Sequence, residues 1–149
     1  MESIKKIMII LDHSTFSEKV IHYGYHIARQ LNASVDLLLM DDSLEEPIDT
    51  LVPYDALYAE DIEGLERFLH EMKDKYSEGI ETGIHVLQGN IREGVLLMAE
   101  RCQSELIISG THARTGLERF FSGSVSEDIL RHASVPMLIV PVEHMKTKI

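Results

Sequence analysis

Short runs of consecutive apolar residues recur along the chain and alternate with segments of helical periodicity. A continuous apolar run, without polar alternation, is typical of a strand buried on both faces of a parallel sheet. Five such runs are predicted strands: Ile7–Leu11, Val35–Met40, Ile84–Leu87, Leu106–Ile108 and Met137–Val140.

Four helices are predicted between the strands, because apolar residues recur there at spacings of three and four. The first spans Ser14–Leu31, and its predicted core stripe is Phe16, Val20, Tyr23, Ile27 and Leu31. The stripes of the other three are Ile62, Leu65, Leu69, Met72 and Tyr76; then Ile91, Val95, Met98 and Cys102; then Val125, Ile129 and Ala133. Two prolines, Pro47 and Pro53, predict a loop up to about residue 58.

Strict alternation of strand and helix predicts a doubly wound α/β fold with right-handed crossovers. The 149 residues fit a single domain covering 1–149. Ligands of such folds bind beyond the carboxyl ends of the strands, where the strand order reverses. We therefore expect the binding residues in the loops after the first and fourth strands, at residues 12–14 and 110–124.

The charge is strongly negative, with 14 Lys and Arg against 25 Asp and Glu and a net charge of −11. Such a surface repels nucleic-acid phosphates and anionic lipids, so we expect neither nucleic-acid nor membrane binding. Residues 41–63 hold nine acidic residues and no Lys or Arg. This segment is either a solvated connection or a face that docks a cation or an unknown protein partner.

The single cysteine, Cys102, excludes an internal disulfide and a thiolate metal cluster. Since it continues the apolar face of its helix, we interpret it as a small core residue. The early apolar run Ile7–Leu11 is too short for a signal peptide or a membrane span, so a cytoplasmic protein is expected.

The segment from Gly110 to Glu127 combines glycines with hydroxyl side chains before a predicted helix. Backbone N–H groups at a helix start, with Ser124 and Ser126, form an anion site. Ser124-x-x-Glu127 is also a capping box, and a cap and a phosphate use the same N–H donors. His112 lies in the same loop, where it makes either a polar loop contact or a ligand contact.

Three other polar residues have candidate functions. Asp12 ends the first strand. Its carboxylate accepts a hydrogen bond from a base or an amine, caps the following helix, or is a solvated group at the strand end. His22 and His26 have metal-ligand spacing, but they lie opposite the Val20/Ile27 stripe, and we interpret them as a solvated pair.

Absent motifs narrow the function further. The sequence contains no P-loop, no Gly-x-Gly-x-x-Gly and no Gly-x-Ser-x-Gly nucleophile elbow. A phosphoacceptor receiver domain would require an acidic pair after the first strand and a Lys after the fifth. Asp12 stands alone, and Pro141 follows the fifth strand.

With these residues in place, the chain resembles the universal stress protein family from Ile7 to Val142. Its ATP-binding members carry Gly-x2-Gly-x9-Gly-Ser/Thr after the fourth strand, and here that register is Gly110-x2-Ala113-x9-Gly123-Ser124. The opening Ile9-Ile10-Leu11-Asp12-His13-Ser14 and the closing Ser134-Val135-Pro136-Met137-Leu138-Ile139-Val140-Pro141 are also typical of the family.

The resemblance implies a five-stranded parallel sheet of order 3-2-1-4-5 with helices on both faces, as in the adenine nucleotide alpha hydrolase-like fold. It also implies an adenine nucleotide, ATP or AMP with Mg²⁺ on the phosphates. Asp12 would contact the adenine and Met40 would pack on it. The ribose-phosphate path would be lined by Gly110, Ala113, Gly123, Ser124 and Ser126, with His112 and Val125 beside them.

The resemblance favours a regulatory stress-response protein without efficient catalysis, acting as a homodimer through its last strand. Ala113 departs from the family glycine; if the position needs a positive φ, the Cβ costs about 1–2 kcal/mol. Two alternatives therefore stay open: a dimeric interaction module that binds no nucleotide, and a slow nucleotide hydrolase or phosphotransferase.

Overall fold

Five parallel strands and four helices alternate in the computed structural model, which describes residues 3–12, 17–41, 54–110 and 125–141. The order and bounds are β1 Lys6–Leu11, α1 Ser17–Leu31, β2 Ser34–Asp41, α2 Tyr54–Tyr76, β3 Thr82–Gln88, α3 Ile91–Arg101, β4 Leu106–Gly110, α4 Val125–His132 and β5 Met137–Val140. All five predicted strands and four predicted helices are present.

The strands form one parallel sheet of order β3-β2-β1-β4-β5, which confirms the expected topology. β1 occupies the centre, and its residues Ile7–Leu11 are all buried. β3 and β5 form the two edges. The chain moves outward from β1 to β2 and β3 and then crosses to the other side for β4 and β5, so the strand order reverses between β1 and β4.

The helices form two layers, because a reversal of strand order with crossovers of one hand moves the following helices to the opposite face. α1 and α2 cover one face, where Val20, Ile21, Tyr25 and Leu69 pack on alternate residues of the central strands. α3 and α4 cover the other face. There Val95, Ala99 and Ile129 pack on Met8, Ile10, Leu38 and Ile107.

Three details differ from the sequence-based expectations. α2 begins at Tyr54, several residues before the predicted loop ends, because a proline directly ahead of a helix removes only an N–H that no helical carbonyl would accept. β3 is half-buried along its whole length since it lies at the edge. Tyr23 is 46% exposed, and Ile21 and Tyr25 lie on the inner face instead.

α2 is the longest described helix, with 23 residues. Like the other helices in the described ranges, it lacks the continuous apolar length that crossing a membrane requires.

Glycine allows two helices to lie very close to the sheet. A Cβ on Gly24 of α1 would stand 2.4 Å from Ile9 Cδ1, and a Cβ on Gly94 of α3 would stand 2.4 Å from Leu87 Cδ1. Ile9 belongs to the fully buried centre of β1 and has little room to move. The side chain absent at Gly24 therefore sets how closely α1 approaches the sheet.

We expect Gly24→Ala to lower the free energy of unfolding by about 1–3 kcal/mol, because the added methyl group overpacks the contact with Ile9. Gly64→Ala is the matched control: Gly64 is also helical, but its nearest neighbour would be the Arg67 Nη2 atom at 3.8 Å. That variant should be more stable than wild type by about 0.5–1 kcal/mol, from the lower entropy of its unfolded chain. Urea unfolding measures both. Equal effects of the two substitutions would contradict the proposed close approach.

Candidate functional site

The two strands at the reversal of strand order, β1 and β4, share only part of their length. Their ladder runs from Ile7 opposite Leu106 to Ile9 opposite Ile108. On its other side β1 pairs with β2 up to Leu11 opposite Leu39, and β4 pairs with β5 up to Gly110. The carboxyl ends of β1 and β4 thus extend beyond their shared ladder, and this is the place where doubly wound folds bind ligands. We refer to this place as the cleft.

Asp12 follows β1 directly, at the edge of this cleft. Its carboxylate is oriented by α1, because the Ser17 hydroxyl lies 3.1 Å from Asp12 Oδ1 and also contacts the Asp12 main-chain oxygen. Ser17 opens α1 and is only 1% exposed, so its hydroxyl is held in place by packing. A carboxylate fixed in this way at a strand end is prepared to accept hydrogen bonds from a ligand.

The first turn of α1 is also tied to α2. Glu18 accepts hydrogen bonds from the Tyr76 hydroxyl and from the Lys75 ammonium, the latter at 3.0 Å. The Tyr76 hydrogen bond, followed by that of Lys75, lowers the pKa of the Glu18 carboxyl. These contacts are exposed, so they orient the helix start more than they stabilise the fold.

The ends of β2 and β3 form the neighbouring part of the same edge. Met40 is the penultimate residue of β2; it is half-buried and packs against the core beneath α3. Asp41, the last residue, accepts a hydrogen bond from Gln88 Nε2 at 2.9 Å, which joins the ends of the two strands. Gly89 then turns the chain with a φ of 100°, a conformation that favours glycine.

Asn90 is the residue directly before α3. Its Oδ1 accepts from the Glu93 backbone N–H at 3.0 Å, as an N-cap does. The cap satisfies one of the backbone N–H donors at the start of α3. It also fixes the course of the chain beside the carboxyl edge of the sheet.

Gly110 closes β4 opposite Val140, on the far side of the cleft from Asp12. The structure thus brings Asp12, Met40 and Gly110 to one edge of the sheet. Val125 and Ser126 are the first two residues of α4. His112, Ala113, Gly123 and Ser124 lie outside the described residues, so their place at the site stays a prediction.

Sequence reasoning missed four residues of this edge. The Asn90-x-x-Glu93 spacing after a glycine is a recognisable capping signal for Asn90. The bond between Asp41 and Gln88 could not be read from the sequence, because the two residues are 47 positions apart. Ser17 had a weak signal, as one of several hydroxyl residues after Asp12.

A second polar cluster, formed by Asp36, His85 and Cys102, lies in the amino-terminal half of the sheet. Cys102 is half-buried at the end of α3 and packs against the core, which agrees with its interpretation as a core residue. Burial raises the pKa of the Cys102 thiol, and the charge of Asp36 raises it further. Cys102 is therefore a thiol at neutral pH, which argues against a nucleophilic function. His22 and His26 are both exposed, as expected.

The family is decided by a comparison with protein-family models. The model described as universal stress protein family matches residues 3–141, nearly the whole chain. The chain belongs to the universal stress protein family. Among curated relatives, a universal stress protein of Methanocaldococcus jannaschii is 29% identical over 146 residues, covering 91% of this chain and 81% of the relative.

Solved structures agree on the fold. The structure of hypothetical protein MJ0577 superimposes with a TM-score of 0.81 at 22% identity, covering 97% of this chain and 100% of the other. A universal stress protein in complex with cAMP gives a TM-score of 0.68 at 17% identity, covering 95% and 100%. The family member from Archaeoglobus fulgidus in complex with dAMP gives 0.59 at 19%, covering 93% and 98%. At these identities the likeness establishes the fold.

We expect Ser17→Ala to lower the free energy of unfolding by about 1.5–3 kcal/mol, since it removes a buried donor to the Asp12 carboxylate. Ser34→Ala is the control, because the Ser34 hydroxyl makes only a 3.4 Å contact with the Lys5 carbonyl. That variant should stay within about 0.5 kcal/mol of wild type. Thermal unfolding measures both; an unchanged Ser17→Ala protein would show that Asp12 is held by other contacts.

Proposed function

We propose that this universal stress protein binds an adenine nucleotide in the cleft between β1 and β4 and acts as a regulatory homodimer. The observation that carries the proposal is the early end of the β1–β4 ladder, at Ile9 and Ile108, together with the Asp12 carboxylate that Ser17 orients directly after β1. In this arrangement Asp12 accepts hydrogen bonds from the adenine and Met40 packs against the base.

The structural neighbours solved with nucleotides support the choice of adenine. One was solved with cAMP and another with dAMP. These ligands differ in the ribose and in the phosphate but share the base, so adenine is the feature they have in common. The proposal for this chain therefore specifies the base, and titration distinguishes ATP from AMP and measures the requirement for Mg²⁺.

The phosphate side of the proposal depends on the loop after Gly110. In the family register, Gly110, Ala113, Gly123 and Ser124 surround the ribose and phosphates, with His112 beside them. The loop leads into α4, which Val125 and Ser126 open, and the first N–H groups of a helix suit an anion. Glu127 and Asp128 in the first turn of α4 oppose a phosphate there, so hydroxyl and backbone donors of the loop must supply the phosphate contacts.

Ala113 is the specific residue that favours a second candidate, a dimeric interaction module whose cleft holds no nucleotide. A Cβ at a position that requires positive φ weakens binding by about tenfold, since 1.4 kcal/mol corresponds to one decade of affinity. Mass spectrometry of denatured, freshly purified protein separates the two candidates, because a tightly bound nucleotide purifies with the chain.

Calorimetric titration with ATP, AMP and cAMP, with and without Mg²⁺, tests the binding proposal. We expect Asp12→Ala to weaken adenine nucleotide binding by about ten- to a hundredfold, the loss expected for a hydrogen bond to a charged group. Asp74→Ala removes the same charge from the exposed surface of α2 and should leave the affinity unchanged.

Three outcomes of this titration count. If no nucleotide binds wild type, and Ala113→Gly does not restore binding, the interaction module is correct. If Asp12→Ala binds as tightly as wild type, the base lies elsewhere. Tighter binding by Ala113→Gly, by up to about tenfold, would support the family register of the loop.

The homodimer is proposed through the β5 edge. Ile139 is 36% exposed on this edge strand, whereas Val140 is buried in the core beneath α1. An apolar side chain on an exposed strand edge is an aggregation risk unless a partner covers it. A second copy related by a two-fold axis would bury the edge of both chains.

We expect Ile139→Lys to shift the protein toward monomer, because a two-fold contact brings each substitution close to its symmetry mate. Leu97→Lys, on the exposed surface of α3, makes the same chemical change at a distant site and should leave the dimer intact. Val140→Lys would place a charge in the core and should unfold the protein. Sedimentation velocity over a concentration series measures the association; a wild-type monomer at all concentrations would contradict the proposal.

A further inference from the structure

Three metal-ligating side chains converge in the amino-terminal half of the sheet, on the face covered by α3. Asp36 is on β2, His85 is on β3, and Cys102 follows the last residue of α3. Their ligand atoms all lie within 4.8 Å of one another. Among the described residues, this is the group that brings a thiol, an imidazole and a carboxylate to one point. It lies away from the carboxyl edge, so the nucleotide proposal does not use it.

The geometry is convergent, not a relay. Asp36 Oδ1 lies 2.9 Å from His85 Nε2, and Cys102 Sγ lies 3.7 Å from the same nitrogen. In a nucleophilic triad the acid and the nucleophile bond opposite nitrogens of the ring. Here both face Nε2, which carries either one hydrogen or one lone pair. A single point between the three atoms therefore suits a cation better than proton transfer along a chain.

The sheet is built to allow this approach. Gly83 stands directly opposite Asp36 in the β2–β3 register, and it shares its face of β3 with His85, two residues on. A Cβ on Gly83 would lie 2.7 Å from Asp36 Oδ1 and 3.4 Å from His85 Nε2. Because the residue is glycine, the carboxylate can lie across β3 and meet the imidazole.

The surroundings suit a bound ion. Asp36 is flanked on its face of the sheet by Met8 and Leu38, which are fully buried, and its side chain is only 14% exposed. A carboxylate on such an apolar face requires a compensating charge or donor. The His85 side chain is 29% exposed, so solvent reaches the cluster from one side.

We propose that Asp36, His85 and Cys102 form a three-ligand site for a borderline-soft divalent cation of the Zn²⁺ type, with water as the fourth ligand. Typical Zn–N, Zn–O and Zn–S bonds put the ligand atoms of a tetrahedral site about 3.3–3.8 Å apart. The 3.7 Å between Cys102 Sγ and His85 Nε2 lies within that range, and the 2.9 Å between Asp36 Oδ1 and His85 Nε2 widens by about 0.5 Å when an ion enters between them. Thiolate and imidazole favour Zn²⁺ over Mg²⁺ or Ca²⁺. On binding, the Cys102 thiol proton passes to solvent, and the neutral His85 ring carries its one proton on Nδ1, so that the Nε2 lone pair faces the ion.

Co²⁺ is the probe that tests this site, because thiolate-to-cobalt charge transfer gives a near-ultraviolet band and tetrahedral Co²⁺ gives intense visible bands. Cys102 is the single cysteine of the chain, so a charge-transfer band must come from it. Reduced, untagged full-length protein, first treated with a chelator, is titrated with Co²⁺ and then with Zn²⁺. We expect a one-to-one charge-transfer signal that Zn²⁺ displaces.

Variants assign the ligands. Cys102→Ser should abolish the charge-transfer band, and His85→Ala and Asp36→Asn should each lower the Co²⁺ affinity by at least about tenfold. Gly83→Ala keeps all three ligands but crowds the carboxylate, so it should also weaken binding. His22→Ala and His26→Ala are the controls: these exposed histidines on α1 have metal-ligand spacing but should leave the band unchanged. Circular dichroism checks the fold of each variant.

Two results would overturn the proposal. One is the absence of a charge-transfer band at stoichiometric Co²⁺. The other is a band of undiminished affinity in folded His85→Ala, Asp36→Asn or Gly83→Ala, which would show that the cysteine binds Co²⁺ without the cluster. The cobalt titration is repeated with AMP present. If the metal site is separate from the nucleotide cleft, the charge-transfer band is the same with and without AMP. The two proposals therefore stand or fall independently.

Discussion

Burial of β1 on both faces is the constraint on which the other elements depend. Ile7–Leu11 are enclosed by α1 on one face and by the core of α3 and α4 on the other, so no polar side chain fits until the strand leaves the sheet. Asp12 is the first position at which a carboxylate can stand. The same central position forces β2 and β4 onto opposite sides of β1, and the place where their directions diverge is where a ligand can enter.

The sequence contained enough information for the fold because the strongest physical signal in it is continuous burial. All five strands were found from apolar runs, and the strand order followed from the family resemblance. Where residues are only partly buried, the burial predicted from the sequence was less accurate. β3 is half-buried as an edge strand, and Tyr23 is exposed because Ile21 and Tyr25 centre the inner face of α1 one position away from the predicted stripe.

The candidate site divides in the same way. Asp12, Met40 and Gly110 could be located from the sequence, because a residue at a strand end is placed by the strand itself. The side chains that contact these residues or meet elsewhere in the sheet could not be located from the sequence. The contact between Asp41 and Gln88, and the meeting of Asp36, His85 and Cys102, depend on the register between strands and on the length of α3. Neither quantity leaves a local pattern in the sequence.

The short ladder between β1 and β4 has a mechanical consequence. The sheet is in effect two ribbons, β3-β2-β1 and β4-β5, joined along a seam from Ile7–Leu106 to Ile9–Ile108. Local opening of a protein begins where the fewest backbone hydrogen bonds must break together. The carboxyl end of this seam should therefore open more often than the strand pairs within either ribbon. A ligand that contacts both ribbons opposes their separation at the seam. Ligand binding at the carboxyl end would then slow amide exchange along β4 and in β5, beyond the residues that the ligand itself contacts.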